Sequence, residues 1–96
     1  MPAFVFANIQ SVSNPTRFGE YQGLAGATVA QYGGKVLGGG SKIEIADGDW
    51  SPAGVVALEF ENLAKAKEWY NSPEYQAVIA GRLESTVGGV IFVDGG

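Results

Sequence analysis

The side chains able to do chemistry in this chain are few, and the missing types narrow the field first. Cysteine and histidine are both absent from the 96 residues. That removes disulfides, thiol nucleophiles, imidazole bases, Cys or His metal sites and the commonest haem ligands. Carboxylates, a guanidinium, an amide and phenols remain. Glu59 lies in Gly54-Val55-Val56-Ala57-Leu58-Glu59-Phe60, the clearest strand in the chain. At strand alternation Val56, Leu58 and Phe60 share one face, and Glu59 shares the other with Val55 and Ala57. If the bulky set faces helices, Glu59 points into the space between the sheet and whatever covers its second face. A half-buried carboxylate there has a raised pKa and can accept a proton. The plainer alternative is an ion pair or a contact at the strand end.

Arg82 follows Tyr75 by seven residues and shares a helical face with it and with Ile79. A guanidinium on an apolar face needs a partner or a path to water. It is either a clamp for an anion or carbonyl or half of a fixed salt bridge, with Glu59 as the candidate partner. Asn8 interrupts an apolar strand at the parity of Phe4 and Phe6. Its amide either meets a ligand or satisfies a neighbouring backbone group. Trp50 is a lid over a pocket or an aromatic packed on a helix. Tyr21, Tyr32, Tyr70 and Tyr75 are core by spacing, and a hydroxyl of Tyr32 or Tyr75 at a pocket mouth would bind a ligand.

Several tempting motifs fail. In Gly38-Gly39-Gly40-Ser41-Lys42 the serine precedes the lysine and no helix follows, so this is no phosphate loop. Ile43 stands where a dinucleotide fingerprint needs its third glycine. Asp47 and Asp49 are the only close acid pair and read as turn residues, so no metal is expected. Pro2 would become a secondary amine if Met1 were removed, which would make it a base of another kind.

The elements that must position these residues follow from local signals. Residues 3–10 read as a strand. Asn14-Pro15 opens a helix running to Gly33-Gly34. Lys35-Val36-Leu37 and Lys42-Ile43-Glu44-Ile45 read as one strand broken by a glycine bulge or as two short ones. After strand 54–60, Asn62 caps a second helix. Ser72-Pro73-Glu74 opens a further short helix with Tyr75, Ile79 and Leu83 as its apolar line. Gly88-Gly89 is a turn before a last strand, Val90 to Val93. The order βαββαβ, with right-handed crossovers, is an α+β ferredoxin-like domain spanning residues 1–96: a four-stranded antiparallel sheet with helices on one face.

Composition bounds the rest. Hydrophobic residues are 46% and charged residues 17%, which argues against disorder. Six basic against ten acidic residues, net −4 and unclustered, argue against a nucleic-acid or anionic-membrane partner. With no leader pattern and no long apolar run, a cytoplasmic location is expected. The strands at 4–7, 55–58 and 90–93 are apolar at both parities, so the second sheet face needs a cover that the chain does not supply. A homodimer packed sheet to sheet is the expectation.

Glu20-Tyr21, Tyr32-Gly33-Gly34, Gly48-Asp49-Trp50-Ser51-Pro52, Leu58-Glu59-Phe60 and above all Trp69-Tyr70-Asn71-Ser72-Pro73-Glu74-Tyr75-Gln76 occur in that order. In this the chain resembles the uncharacterised domain-of-unknown-function family 1330 from about residue 2 to 95. The resemblance implies a dimeric α+β barrel. That superfamily includes cofactor-free monooxygenases, lactone isomerases, haem enzymes and small stress-related proteins. Relatives carry arginines where this chain has Gly39 and Gly54, and Arg82 matches a third. The expectation is a cleft for a small, partly apolar organic molecule, without a cofactor. In an isomerase or cofactor-free oxygenase Glu59 would accept the proton and Arg82 would polarise the substrate. The alternatives are a non-catalytic, stress-associated binding module and a purely structural dimerising unit.

Overall fold

A computed structural model describes residues 1–95. In chain order its elements are β1 (Ala3–Val12), α1 (Pro15–Gln31), β2 (Lys35–Gly40), β3 (Gly54–Phe60), α2 (Leu63–Tyr70), α3 (Pro73–Gln76), α4 (Ala80–Leu83) and β4 (Thr86–Asp94). The helix starts are where the cap residues put them. The Asn14 side chain accepts the Arg17 N–H at 3.1 Å, Asn62 accepts that of Lys65 at 2.9 Å, and Ser72 Oγ accepts that of Tyr75 at 3.1 Å. Each bond satisfies a donor that the first helical turn leaves without a partner.

The sheet order is β2-β3-β1-β4, antiparallel throughout, with β1 and β3 in the centre. Val5 lies opposite Leu58 on one side and Phe92 on the other. This parity carries the core: Val5, Leu58 and Phe60 pack against Ala25 and Val29 of α1, Ala66 and Trp69 of α2, and Tyr75 of α3. The Trp69 ring lies 5.4 Å from Phe60 and 4.3 Å from Tyr75, centroid to centroid. Each such side chain contributes about 1.5–3 kcal/mol when fully buried. Burying the indole also requires an acceptor. Trp69 Nε1–H donates to Thr28 Oγ1 at 3.0 Å, and that hydroxyl donates to the Ala25 carbonyl at 2.7 Å.

The opposite parity faces outward: Phe4, Phe6 and Asn8 of β1, Val55, Ala57 and Glu59 of β3, Gly89, Ile91 and Val93 of β4. Phe6 is 40% exposed and Ile91 59%. As the two-parity strands imply, the helices cover one face and leave an apolar one.

Three local expectations are corrected. Lys42 to Ile45 is not a strand. Gly40 already lies opposite Val55, one residue from the start of β3, so the chain beyond it has no strand to pair with. Gly88-Gly89 is not a turn but lies inside β4, opposite Ile9 and Asn8. A side chain at Gly88 would strike the Asn8 carbonyl, so glycine here permits a close backbone approach. The helical stretch after Ser72 is two single turns, and Leu83 is 59% exposed. Its neighbour Arg82 is the residue that turns inward.

These features rank three substitutions. Asn62→Ala removes a cap worth about 1 kcal/mol. Gly88→Ala forces a backbone collision and is expected to cost more, about 1–3 kcal/mol or beyond. Gly89→Ala meets open space and is expected to be mild. Thermal unfolding followed by circular dichroism checks the order, at roughly 4–8 °C per kcal/mol.

Candidate functional site

α1 does not close down fully on the sheet. Between them lies a cleft of about 450 Å³. Val5, Ala7, Ile9, Val56 and Leu58 form its floor, and Phe18, Tyr21, Ala25 and Val29 its roof. One margin is the glycine edge of β2, Gly38 to Gly40, where β2 also carries a bulge. Toward β4 lie Tyr75, Arg82 and Val90, and Gln22 of α1 adds a side-chain amide to the lining. Gly39 has φ of +154°, and a side chain there would run into the Val55 carbonyl, so this margin stays bare.

Arg82 reaches the cleft because α4 sits hard against α1. A Cβ on Gly81 would stand 2.9 Å from Tyr21 Cβ, closer than real Cβ contacts allow. The end of α4 is held by its followers: Thr86 Oγ1–H donates to the Arg82 carbonyl at 2.7 Å, and Ser85 Oγ–H donates to that of Gly81. Arg82 is then 5% exposed. Its Nε–H is buried with no acceptor, and no carboxylate among the described residues pairs with it. Glu84, two residues on, is engaged by Arg17 at 2.6 Å on the surface.

Beside the guanidinium, the hydroxyls of Tyr21 and Tyr75 are joined at 2.7 Å. Burial, then the bond to Tyr75, pushes the Tyr21 phenol well above its ordinary range, against a smaller opposing pull from Arg82. Desolvation works against the Arg82 charge. The Tyr75 hydroxyl and the nearby Tyr21 and Tyr70 outweigh it, so the group stays protonated. Tyr21, with its phenol pushed up, is a neutral dipole at neutral pH and not a counter-ion. The cleft therefore holds one positive charge, two phenols, the neutral amide of Gln22 and an apolar wall. No carboxylate, amine or imidazole lines it among the described residues. It can hold or polarise an oxygen that carries negative charge.

The residues singled out from sequence are divided. Arg82 and Tyr75 come together in this cleft. Glu59 does not join them. It projects from the outward face, opposite Lys35 and Phe4, beside a shallow depression that includes Met1, Pro2 and Glu61. The Glu59–Arg82 pair, as salt bridge or as acceptor and polariser, is corrected: strand parity sends one to each side of the sheet. Asn8 is also on the outward face, and its Oδ1 is buried without a donor. Tyr32 is outside the cleft. Its hydroxyl donates to Glu74 Oε2 at 2.6 Å and ties the end of α1 to the start of α3, which raises the phenol and lowers the carboxyl. Trp50 is neither a lid nor packed on a helix. It is 62% exposed on the irregular 41–53 segment. Asp47 and Asp49 are not joined by a third carboxylate, and no cluster of three or more acids stands together among the described residues.

Tyr21 and Gly81 were not legible as site residues. Tyr21 meets Tyr75 across 54 residues of sequence. The one local signal for the site was the helical spacing of Tyr75 and Arg82.

The fold has known counterparts. A protein of unknown function from Rhodopseudomonas palustris superposes with a TM-score of 0.75 at 19% identity, over 97% of this chain and 81% of that one. A dimeric ferredoxin-like protein of unknown function from Jannaschia sp. CCS1 gives 0.74 at 12% identity, over 98% and 97%. SnoaB, a cofactor-independent oxygenase from Streptomyces nogalater, gives 0.64 at 10% identity, over 99% and 92%. At these identities the likeness establishes the ferredoxin-like α+β fold alone. No curated protein matches the sequence. The family model for the domain of unknown function DUF1330 matches residues 2–96, and the chain belongs to that family.

Proposed function

We propose that this protein binds a small, largely apolar organic molecule in the cleft between α1 and the sheet, and that it does so as a homodimer. The observation that carries the first part is Arg82, buried with its Nε–H unpartnered and no carboxylate against it, beside an apolar space of about 450 Å³. Pockets of this size and lining, with a few convergent polar groups, suit small organic ligands. A guanidinium held in the cleft by phenols, with no carboxylate beside it, is free to meet a ligand's negative charge.

The outward sheet face supports the second part. Phe6, Ile91 and Val93 form an apolar surface there, and the Asn8 amide oxygen lacks a donor within its own chain. A second copy packed on that face would bury the apolar surface. The dimeric neighbour from Jannaschia agrees in kind. In this arrangement Glu59 and Asn8 belong to the subunit boundary.

Isomerisation or cofactor-free oxygenation is a second reading, favoured by the donors that Arg82, Tyr21 and Tyr75 bring to one place, where an enolate oxygen would be stabilised. The same lining offers no proton acceptor, so binding is the better-supported function.

Native mass spectrometry of gently purified protein tests both parts. A species at twice the 10.0 kDa chain mass, carrying a discrete adduct lost in Arg82→Met, is expected. A bare monomer at micromolar concentration would overturn the dimer. Separately, Ile91→Glu places a charge on the apolar face and is expected to shift sedimentation toward the monomer mass while leaving the circular dichroism spectrum in place.

A further inference from the structure

We infer that the ligand of the cleft is a monoanion, a hydrophobic monocarboxylic acid whose carboxylate is the counter-ion that Arg82 lacks. This rests on the binding reading above and names the chemical class of that ligand. Charge is the first argument. Among the described residues the cleft lining has one formal charge, that of Arg82, which is 5% exposed with its Nε–H unpaired. The nearest acid in sequence, Glu84, is held by Arg17 at the surface. A neutral ligand would leave the buried guanidinium uncompensated. A dianion such as a phosphate monoester would bring a second charge with nothing to meet it. A single negative charge closes the balance.

Donor geometry is the second argument. A guanidinium presents parallel N–H groups that match the two oxygens of a carboxylate. Tyr21 and Tyr75 share one hydrogen bond between their hydroxyls, at 2.7 Å. Of their two hydroxyl hydrogens one is used there, and the other is left to donate to an acceptor. The wall is the third. Val5, Ala25, Val29 and Leu58 can take an aliphatic or aromatic body, and Gln22 adds a neutral amide but no second charge. The ligand is therefore largely apolar and carries a single charge.

Isothermal titration calorimetry of wild-type protein at neutral pH, with benzoate, phenylacetate and octanoate each beside its primary amide, tests the inference. At least one acid is expected to bind, with its amide roughly 10- to 100-fold weaker, as for the loss of a charge-assisted hydrogen bond. In Arg82→Met the acid is expected to lose that advantage. Arg82→Gln serves the same purpose if the methionine variant fails to fold. Acids and amides that bind alike would overturn the counter-ion assignment and leave the cleft as a ligand site. Absence of binding by every acid and amide at millimolar concentration would overturn both. A preference for acids that survives at wild-type strength in a folded Arg82 variant would overturn the role given to Arg82.

Discussion

A chain of 96 residues can lay one layer of helices over one sheet, and the rest of this structure depends on which face receives it. Strands whose two parities are both apolar have two faces to cover. The parity of Val5, Leu58 and Phe60 is buried by α1, α2 and Tyr75. The parity of Phe6, Ile91 and Glu59 is left outward. Every placement in the molecule follows from that partition. It puts Arg82 on the inner side and Glu59 on the outer, and so separates the two charges that the sequence invites one to join.

The inner layer is packed unevenly. Around Trp69 it is dense, with the indole held between Phe60 and Tyr75 and anchored on Thr28. Toward β2 it is loose. That strand is short, exposed along its whole length and ends in three glycines. Gly26 of α1 lines the cleft, and a side chain there would meet nothing within 4 Å, so the glycine leaves that space open. A cleft is what remains, and its polar end is built from the dense half. Gly81 lets α4 approach Tyr21, and that approach seats Arg82.

The neighbours of this fold differ in what they are said to do, from proteins of unknown function to a cofactor-independent oxygenase. In this chain the architecture supplies a covered face, an open face and a space under α1. Chemistry depends on what each chain places in that space. Here it is one guanidinium, a phenol pair and the Gln22 amide with no carboxylate or imidazole among the described residues, which suits holding an anion better than moving a proton.

Much of the fold was legible in the residues alone, because its signals are local. Asn14-Pro15, Asn62 and Ser72-Pro73 act on backbone groups within one turn, so the helix starts could be read directly. Alternation along Gly54 to Phe60 named the inner residues and correctly sent Glu59 outward. The family was carried by the Trp69 to Gln76 stretch and is confirmed over residues 2–96. What the residues could not show depends on distance across the fold. Gly88 reads as a turn until Asn8 is seen pressed against it. Lys42 to Ile45 reads as a strand until β3 is seen to begin too late to pair with it. Tyr21 becomes a site residue through Tyr75, far along the chain, and Trp50 stays exposed because no surface of this chain comes to meet it. Local sequence determined the elements and their inner faces, since caps and alternation act between near neighbours. Only the tertiary structure decided which charges meet, since that depends on how strands register and how closely two helices approach.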